Sequence, residues 1–180
     1  MKVNQSNRLK YRLLTPADSH LLFKLDQDPK VMQFINGGKV TSQEDIDTIF
    51  IPRLNQFTNA EKGWGLWGCF LTDNNEFIGW ILVRPMDFFT EQRDDSNLEI
   101  GWRFMQSSWG RGYATEAAMQ IAGALTEHHC ANKLTAIALE DNSGSINIMK
   151  KIGLEYVTTT VHSDPLGSAE VVVYEKSLIT

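Results

Sequence analysis

The sequence predicts an α+β domain built on a mixed, largely antiparallel twisted sheet of about six to seven strands with flanking helices. Three observations predict it. Apolar runs of strand length stand at hairpin distance from one another, residues 65–71 with 77–83 and residues 155–161 with 171–177. Between these pairs lies one strand–helix–strand unit, residues 97–104, then a helical pattern, then residues 133–139, whose strands should run parallel with a right-handed connection. A length of 180 residues with 42% hydrophobic and 22% charged composition suits a single domain over residues 1–180 with a full core.

In chain order, residues 8–14 read as the first strand. Thr15-Pro16-Ala17-Asp18 has the form of a helix start, with Thr15 as N-cap, Pro16 in the first turn and Asp18 near the positive end. Leu21, Leu22 and Leu25 give that helix an apolar stripe, Pro29 stops it, and residues 31–34 form a short helix before Asn36-Gly37-Gly38. Thr41-Ser42-Gln43-Glu44 opens a further helix to about Gln56, which Pro52 is expected to break or kink. Residues 65–71, closed by Thr72-Asp73-Asn74-Asn75, and residues 77–83 form an antiparallel pair. Residues 84–96 read as a long connection in which Phe88 and Phe89 stand beside Glu91, Asp94 and Asp95; the two aromatics either anchor the loop or serve a ligand.

Leu98, Ile100, Trp102 and Phe104 then alternate with Asn97, Glu99, Gly101 and Arg103, the pattern of a strand with one buried face. After residues 106–112, Ala114, Ala117, Ala118, Ile121, Ala122 and Leu125 fall on one face of a helix. Residues 133–139 form a short apolar strand, a helix follows through Ile152, and a hairpin closes around Ser163-Asp164-Pro165-Leu166-Gly167. The chain has no internal repeat, charge block or low-complexity segment.

A formal net charge of −5 argues against a nonspecific nucleic-acid or anionic-membrane surface and favours cationic partners such as amines. No basic segment leads into an apolar core, and no run approaches the roughly 20 apolar residues of a membrane span, so a soluble cytoplasmic protein is expected. Cys69 and Cys130 read as reduced thiols, and His20, His128, His129 and His162 lack ligand spacing, so no metal is expected.

The chemistry concentrates where the strand of residues 97–104 runs through glycines into a helix. A helix N-terminus offers unpaired N–H groups and a partial positive charge, and Gly110 and Gly112 allow backbone to approach a ligand. The result is an anion cradle suited to phosphate. Trp109-Gly110-Arg111-Gly112-Tyr113-Ala114-Thr115-Glu116-Ala117 resembles the pyrophosphate loop of the GNAT superfamily of N-acetyltransferases, which bind acetyl-CoA between the fourth strand and the following helix. The run from Glu140 through Asn142 and Ser145 to Gly153-Leu154 resembles that superfamily's late Asn-x-x-Ser helix. Residues 8–26 with Asp28-Pro29-Lys30-Val31-Met32 resemble the branch that acetylates ribosomal-protein N-termini (RimJ/RimL-type), so the likeness covers nearly the whole chain.

The resemblance implies the GNAT fold, acetyl-CoA as cosubstrate without a metal, and a cofactor site formed by Phe104, Met105, Gln106, Trp109, Gly110, Arg111, Gly112, Tyr113, Ala114, Thr115, Asn142 and Ser145. Two departures from the family pattern stand out. Ser107 occupies the place where the loop often begins with Arg or Gln, with Gln106 one residue earlier, and Met149 occupies the place of the Tyr that often protonates the departing thiolate. Asn142 reads both as a contact to the pantetheine arm and as an N-cap. Ser145 is the remaining hydroxyl of the motif, able to orient or protonate the thiol or simply to begin a helix.

Glu99, just ahead of the loop on the face opposite Leu98 and Ile100, is the candidate general base, directly or through water, with Glu170, Asp164 and Asp94 as alternatives. Pairing of Glu99 with Arg103 is disfavoured, since four strand residues span roughly 13 Å. A backbone N–H near Phe104 or Met105 would hold the developing oxyanion. The expected reaction is direct acetyl transfer to a primary amine, a peptide α-amine first and a small amine or antibiotic second, by a monomer or homodimer without nucleic-acid or membrane partners. From other classes, a regulatory module that binds CoA without turnover and a nucleotide-binding oxidoreductase are the alternatives. A dinucleotide fingerprint lacks its third glycine at Thr115, too little chain follows for a doubly wound sheet, and the Gly-Lys-Ser/Thr ending of a Walker A loop is missing.

Overall fold

The strand-length runs pair into one sheet in the computed structural model, which describes residues 1–165 and 167–179. Leu166, in the expected closing turn, and Thr180 lie outside the described residues. The strands are β1 (Leu9–Leu13), β2 (Gly65–Leu71), β3 (Phe77–Met86), β4 (Asp94–Phe104), β5 (Lys133–Ala138), β6 (Glu155–Asp164) and β7 (Gly167–Ser177). Their order is β1-β2-β3-β4-β5-β7-β6, with β4 and β5 parallel and the other neighbours antiparallel. The helices are α1 (Ser19–Leu25), α2 (Pro29–Asn36), α3 (Gln43–Asp45), α4 (Ile51–Phe57), α5 (Tyr113–Glu127) and α6 (Ser143–Lys151).

Period-two alternation in β4 sorts its side chains onto two apolar layers. Leu98 and Ile100 pack into the core that holds Ala117, Ile121 and Leu125 of α5 together with Leu134 and Ala136 of β5. Each fully buried Leu or Ile in this layer contributes about 1.5–3 kcal/mol, and alanines at 117, 118 and 122 let the helix lie close to the sheet. The other face carries a second cluster, in which Leu22 and Leu25 of α1 and Leu54 and Phe57 of α4 meet Phe70 and Phe77.

The parallel pairing of β4 with β5 extends only from Asn97 opposite Lys133 to Glu99 opposite Thr135. Both strands continue past that point, β4 to Phe104 and β5 to Ala138, so they diverge and leave one edge of β4 without a strand partner among the described residues.

Three expectations change. Residues 84–96 are not a long connection: β3 runs through Arg84 and Pro85 to Met86 and β4 begins at Asp94. Pro85, which cannot donate to a ladder, is tolerated because the register shifts between Pro85 and Met86. Phe88 and Phe89 stack edge-on with each other and with Phe57, and so anchor the remaining turn. The helix expected over residues 41–56 has a π-helical stretch at Ile46–Phe50, and Pro52 then falls in the first turn of α4, where its ring meets no preceding α-helical carbonyl ladder. The expected start at Thr15 is a single 3₁₀ turn, Pro16–Asp18, in which Asp18 accepts from the Thr15 N–H at 2.9 Å and forks onto Arg12 at 2.7 and 2.8 Å.

β3 and β4 approach most closely at Gly79. Its φ is +152°, and a Cβ there would meet the Arg103 carbonyl and lie 2.7 Å from the Phe104 Cα. Gly79→Ala should therefore push the end of β4 off β3 and destabilise the chain by about 1–3 kcal/mol, read as a lowered urea midpoint. An unchanged midpoint would mean that the two strands have room to separate at no cost.

Candidate functional site

β4 leads through a 3₁₀ turn, Gln106–Ser108, to Gly110 and Gly112, both left-handed at φ 70° and 78°. Gly112 occupies the N-cap of α5 and has no side chain to cap it. The first intrahelical bond runs from Glu116 N–H to the Gly112 carbonyl at 3.0 Å, so the N–H groups of Tyr113, Ala114 and Thr115 precede the ladder and lack helical partners. All three residues line a cleft of about 410 Å³. The loop is pinned from beneath, with Ser108 Oγ donating to the Met105 carbonyl at 2.7 Å and Trp109 Nε1 to the Phe104 carbonyl at 2.8 Å.

Arg8, ahead of β1, clamps this loop and had no signal in the sequence, since its partners stand more than a hundred positions away. Its Nη1 donates to the Arg111 carbonyl at 2.9 Å, its guanidinium pairs with Glu116 at 2.7 Å, and it stacks over the Tyr113 ring at 4.4 Å. Glu116 also accepts from Ser6 Oγ at 2.6 Å and from the Arg8 N–H at 2.9 Å. Burial alone would raise the Glu116 carboxyl, but these hydrogen bonds outweigh it and hold the group below its ordinary range.

The opposite wall of the cleft is the start of α6. Asn142 caps this helix by accepting from the Ser145 N–H at 3.1 Å, and the Ser145 hydroxyl accepts from Trp102 Nε1 at 3.1 Å. Met149, in the Tyr position, is 1% exposed in the α5 core and does not line the cleft. The expected oxyanion donor narrows to one residue. Met105 N–H already donates to the Ile78 carbonyl at 2.9 Å. Bonded and non-bonded pairs alternate along an antiparallel ladder, so the Gly79/Phe104 pair turns its peptide groups away from β3, and the Phe104 N–H points to the open edge.

Glu99, the candidate base, is buried and ion-paired, and it lines neither the cleft nor a second cavity described below. It is 7% exposed at the last β4–β5 pair, and Arg84 Nε donates to its Oε2 at 2.7 Å. Arg84 lies 5.5 Å from the Phe89 ring, whose centroid also has the Arg53 guanidinium at 3.7 Å, and Arg53 in turn pairs with Asp164. Arg103 does not reach Glu99; it bonds Asp26, at the end of α1, at 2.6 Å. Of the alternative bases, Asp94 accepts from its neighbour Ser96 at the far end of β4, which lowers its carboxyl pKa, and Glu170 is exposed on β7. A second cavity of about 310 Å³, between the 87–92 turn and the β6–β7 strands, includes His162 and Asp87.

Of the cofactor residues expected from sequence, Phe104, Trp109, Gly110, Gly112, Tyr113, Ala114, Thr115, Asn142 and Ser145 line the large cleft, while Met105, Gln106 and Arg111 do not. Trp102, Arg103 and the Val31/Phe34/Ile35 face of α2 also line it and were not singled out. Ile35 is 51% exposed where it lines the cleft.

A family model for the acetyltransferase (GNAT) domain matches residues 8–155. The Bacillus subtilis (strain 168) protein named uncharacterized N-acetyltransferase YnaD is 30% identical over 149 residues, spanning 83% of this chain and 80% of that one. Two solved structures share the fold. RimL, a ribosomal-protein α-N-acetyltransferase in complex with coenzyme A, aligns at a TM-score of 0.75 and 15% identity over 97% of both chains. The aminoglycoside acetyltransferase AAC(6')-Ib, also in complex with coenzyme A, aligns at 0.74 and 18% over 94% of both.

Removing the clamp should be visible without any ligand. Arg8→Ala is expected to cost about 1–2 kcal/mol, discounted for the exposure of Arg8, and to speed hydrogen exchange in the first turn of α5 from the Glu116 N–H onward while leaving β3 and β4 protected. Since Glu116 is held low in the folded chain, its contribution is present above the unfolded carboxylate pKa and disappears as pH falls through the folded one. The stability gap between the original and Arg8→Ala chains should therefore close on acidification; a gap independent of pH would detach the clamp from Glu116.

Proposed function

The chain belongs to the GNAT acetyltransferase family, and on that premise we propose that it moves the acetyl group of acetyl-CoA to the α-amine of a protein or peptide. The observation that carries this reading is a single cleft that joins the unpaired N–H groups of Tyr113, Ala114 and Thr115 to Asn142, Ser145 and the open edge of β4. The N–H groups and the helix dipole suit a pyrophosphate; the apolar rings of Trp102, Phe104 and Phe34 suit an uncharged arm.

The chemistry balances as an ammonium plus a thioester giving an amide, a thiol and one proton. Nitrogen gives up two protons in all. One leaves before attack, when Glu99, directly or through water, frees the lone pair; the other is lost as the amide forms. The carbon–nitrogen bond forms, the carbon–sulfur bond breaks with its electron pair on sulfur, and one of the two protons ends there. Phe104 N–H faces the acyl oxygen as it gains charge, and the Ser145 hydroxyl faces the sulfur.

The state of Glu99 supports the α-amine over a lysine side chain. Protonating Glu99 would leave the largely buried Arg84 guanidinium without its carboxylate, so an acceptor that is already largely neutral asks less of this base. An α-amine, with a pKa of about 7.7–8.0, is substantially neutral near pH 7.5, whereas a lysine ε-amine at about 10.4 is neutral to only about one part in a thousand. RimL, whose fold this chain shares, acts on a protein α-amine. AAC(6')-Ib, of the same fold, acts on aminoglycosides, but the carboxylates of Glu99, Asp26 and Asp164 here each carry an arginine and offer little to a polycation.

Glu99→Gln retains an oxygen for Arg84 and should lower transfer by ~10²-fold near neutral pH, with much of the loss recovered as pH rises and free amine accumulates. CoA affinity, by calorimetry, should hardly move. A variant whose rate–pH curve overlays the original moves the role to another group. Ser145→Ala should cut the single-turnover rate on the order of tenfold to a hundredfold at an unchanged melting temperature. For the acceptor, intact-mass detection after incubation with acetyl-CoA should show acetylated peptide α-amines in preference to lysine side chains. Turnover of aminoglycosides alone would reassign the acceptor, and CoA binding without thiol release for any amine would leave a regulatory module.

A further inference from the structure

We infer that Trp102 is a positioning residue for the transfer, its indole committing the Ser145 hydroxyl to donate rather than accept toward the departing sulfur. The inference rests on the reading of Ser145 given above. Trp102 stands three residues beyond Glu99, in the part of β4 that β5 no longer covers. Its side chain crosses that gap to α6, where Nε1 lies 3.1 Å from Ser145 Oγ. An indole N–H only donates, so Oγ is the acceptor in this bond and the serine's own proton cannot lie along it. The helix cap makes no claim on the hydroxyl either, because Asn142 Oδ1 takes the Ser145 N–H instead. Both residues line the cleft, so the hydroxyl proton is left to point there.

The direction of that hydroxyl matters when the carbon–sulfur bond breaks and sulfur keeps the electron pair. A hydroxyl pinned as acceptor by Trp102 turns its O–H to the new charge, whereas an unpinned one is as ready to present a lone pair. Ser145 keeps its proton throughout. The proton that comes to rest on sulfur is one of the two lost from the acceptor nitrogen, passed on through water.

The test is a double-mutant cycle with a conservative rescue. Trp102→Phe keeps the ring and removes the donor, and should lower the single-turnover rate by roughly tenfold with KM for acetyl-CoA little changed. Adding Ser145→Ala should then cost nothing beyond Ser145→Ala alone, and Trp102→His, which restores a ring N–H, should recover part of the loss. A readout independent of turnover is the Trp102 indole N–H resonance of the ¹⁵N-labelled, ligand-free protein, which should move upfield in Ser145→Ala as its acceptor disappears. This resonance and the Trp102→His rate decide the matter even where Trp102→Phe folds poorly. An unshifted resonance, a Trp102→Phe rate equal to the original, or a double variant slowed by the product of the two single effects overturns the inference. Ser145→Ala at the original rate removes the reading of Ser145 itself, which is a distinguishable failure.

Discussion

The divergence of β4 and β5 after Glu99 and Thr135 is the constraint on which the rest of the site depends. A parallel pair joined through one helix is held together by the layer beneath it, and here Leu98, Ile100, Leu134 and Ala136 are fixed by the small-residue face of α5. Once the strands part, β4 has a peptide edge with no ladder, and its polar groups need other partners. The Phe104 carbonyl finds the Trp109 indole, and the Trp102 indole finds Ser145 on α6. Because α5 must start where β4 ends, its uncapped N-terminus comes to the mouth of the same gap. An uncapped helix start and an open strand edge are thus brought together by one topological feature.

The two faces of β4 divide the work. Even-numbered residues meet α5 and α6, where the polar groups are backbone amides, a hydroxyl and indoles, while Glu99 and Arg103 meet ion pairs and aromatic rings. Arg84 with Glu99, Arg103 with Asp26 and Arg53 with Asp164 join β3, β4, α1, α4 and β6 across that second face. Desolvation offsets most of what a buried pair gains, so the net stability from these contacts is small, but removing one partner strands a buried charge and is costly. Their effect is geometric: each element carrying a charged group has one place to dock. The Phe89 ring lies within cation–π range of both Arg53, at 3.7 Å, and Arg84, at 5.5 Å, and so gives both guanidinium groups an attractive neighbour.

What was legible in the sequence was local. The alternation of residues 97–104, the glycines at 110 and 112, the alanine stripe of α5 and the capping Asn142 depend on neighbours within a turn or a strand length, and the structure has each of them in place. What was not legible was long-range or exceptional. Arg8 acts on residues 111 and 116 through charge and shape that leave no period in the sequence. Glu99 sits on the face opposite Leu98 and Ile100, but its burial and its pairing with Arg84 depend on a strand register that local sequence does not carry. Pro85 and the acidic Asp94-Asp95 masked strand ends that a register shift accommodates, and the π stretch before Pro52 is a backbone adjustment that composition does not encode.

Met149, at the position where the resembling enzymes often carry a tyrosine, bears on how little the leaving group demands. A thiol of pKa about 8.5 departs from a thioester with only modest help, so a full proton donor of matched acidity is not required. A neutral hydroxyl is too weak an acid to protonate such a thiolate outright, but a hydrogen bond to developing charge in a low-dielectric cleft is worth more than the same bond in solution. For that purpose orientation counts for more than acidity. Met149 is turned into the core that α5 and α6 share and Ser145 bonds Trp102 across the gap, so under the proposed reaction packing and orientation stand where a proton donor would.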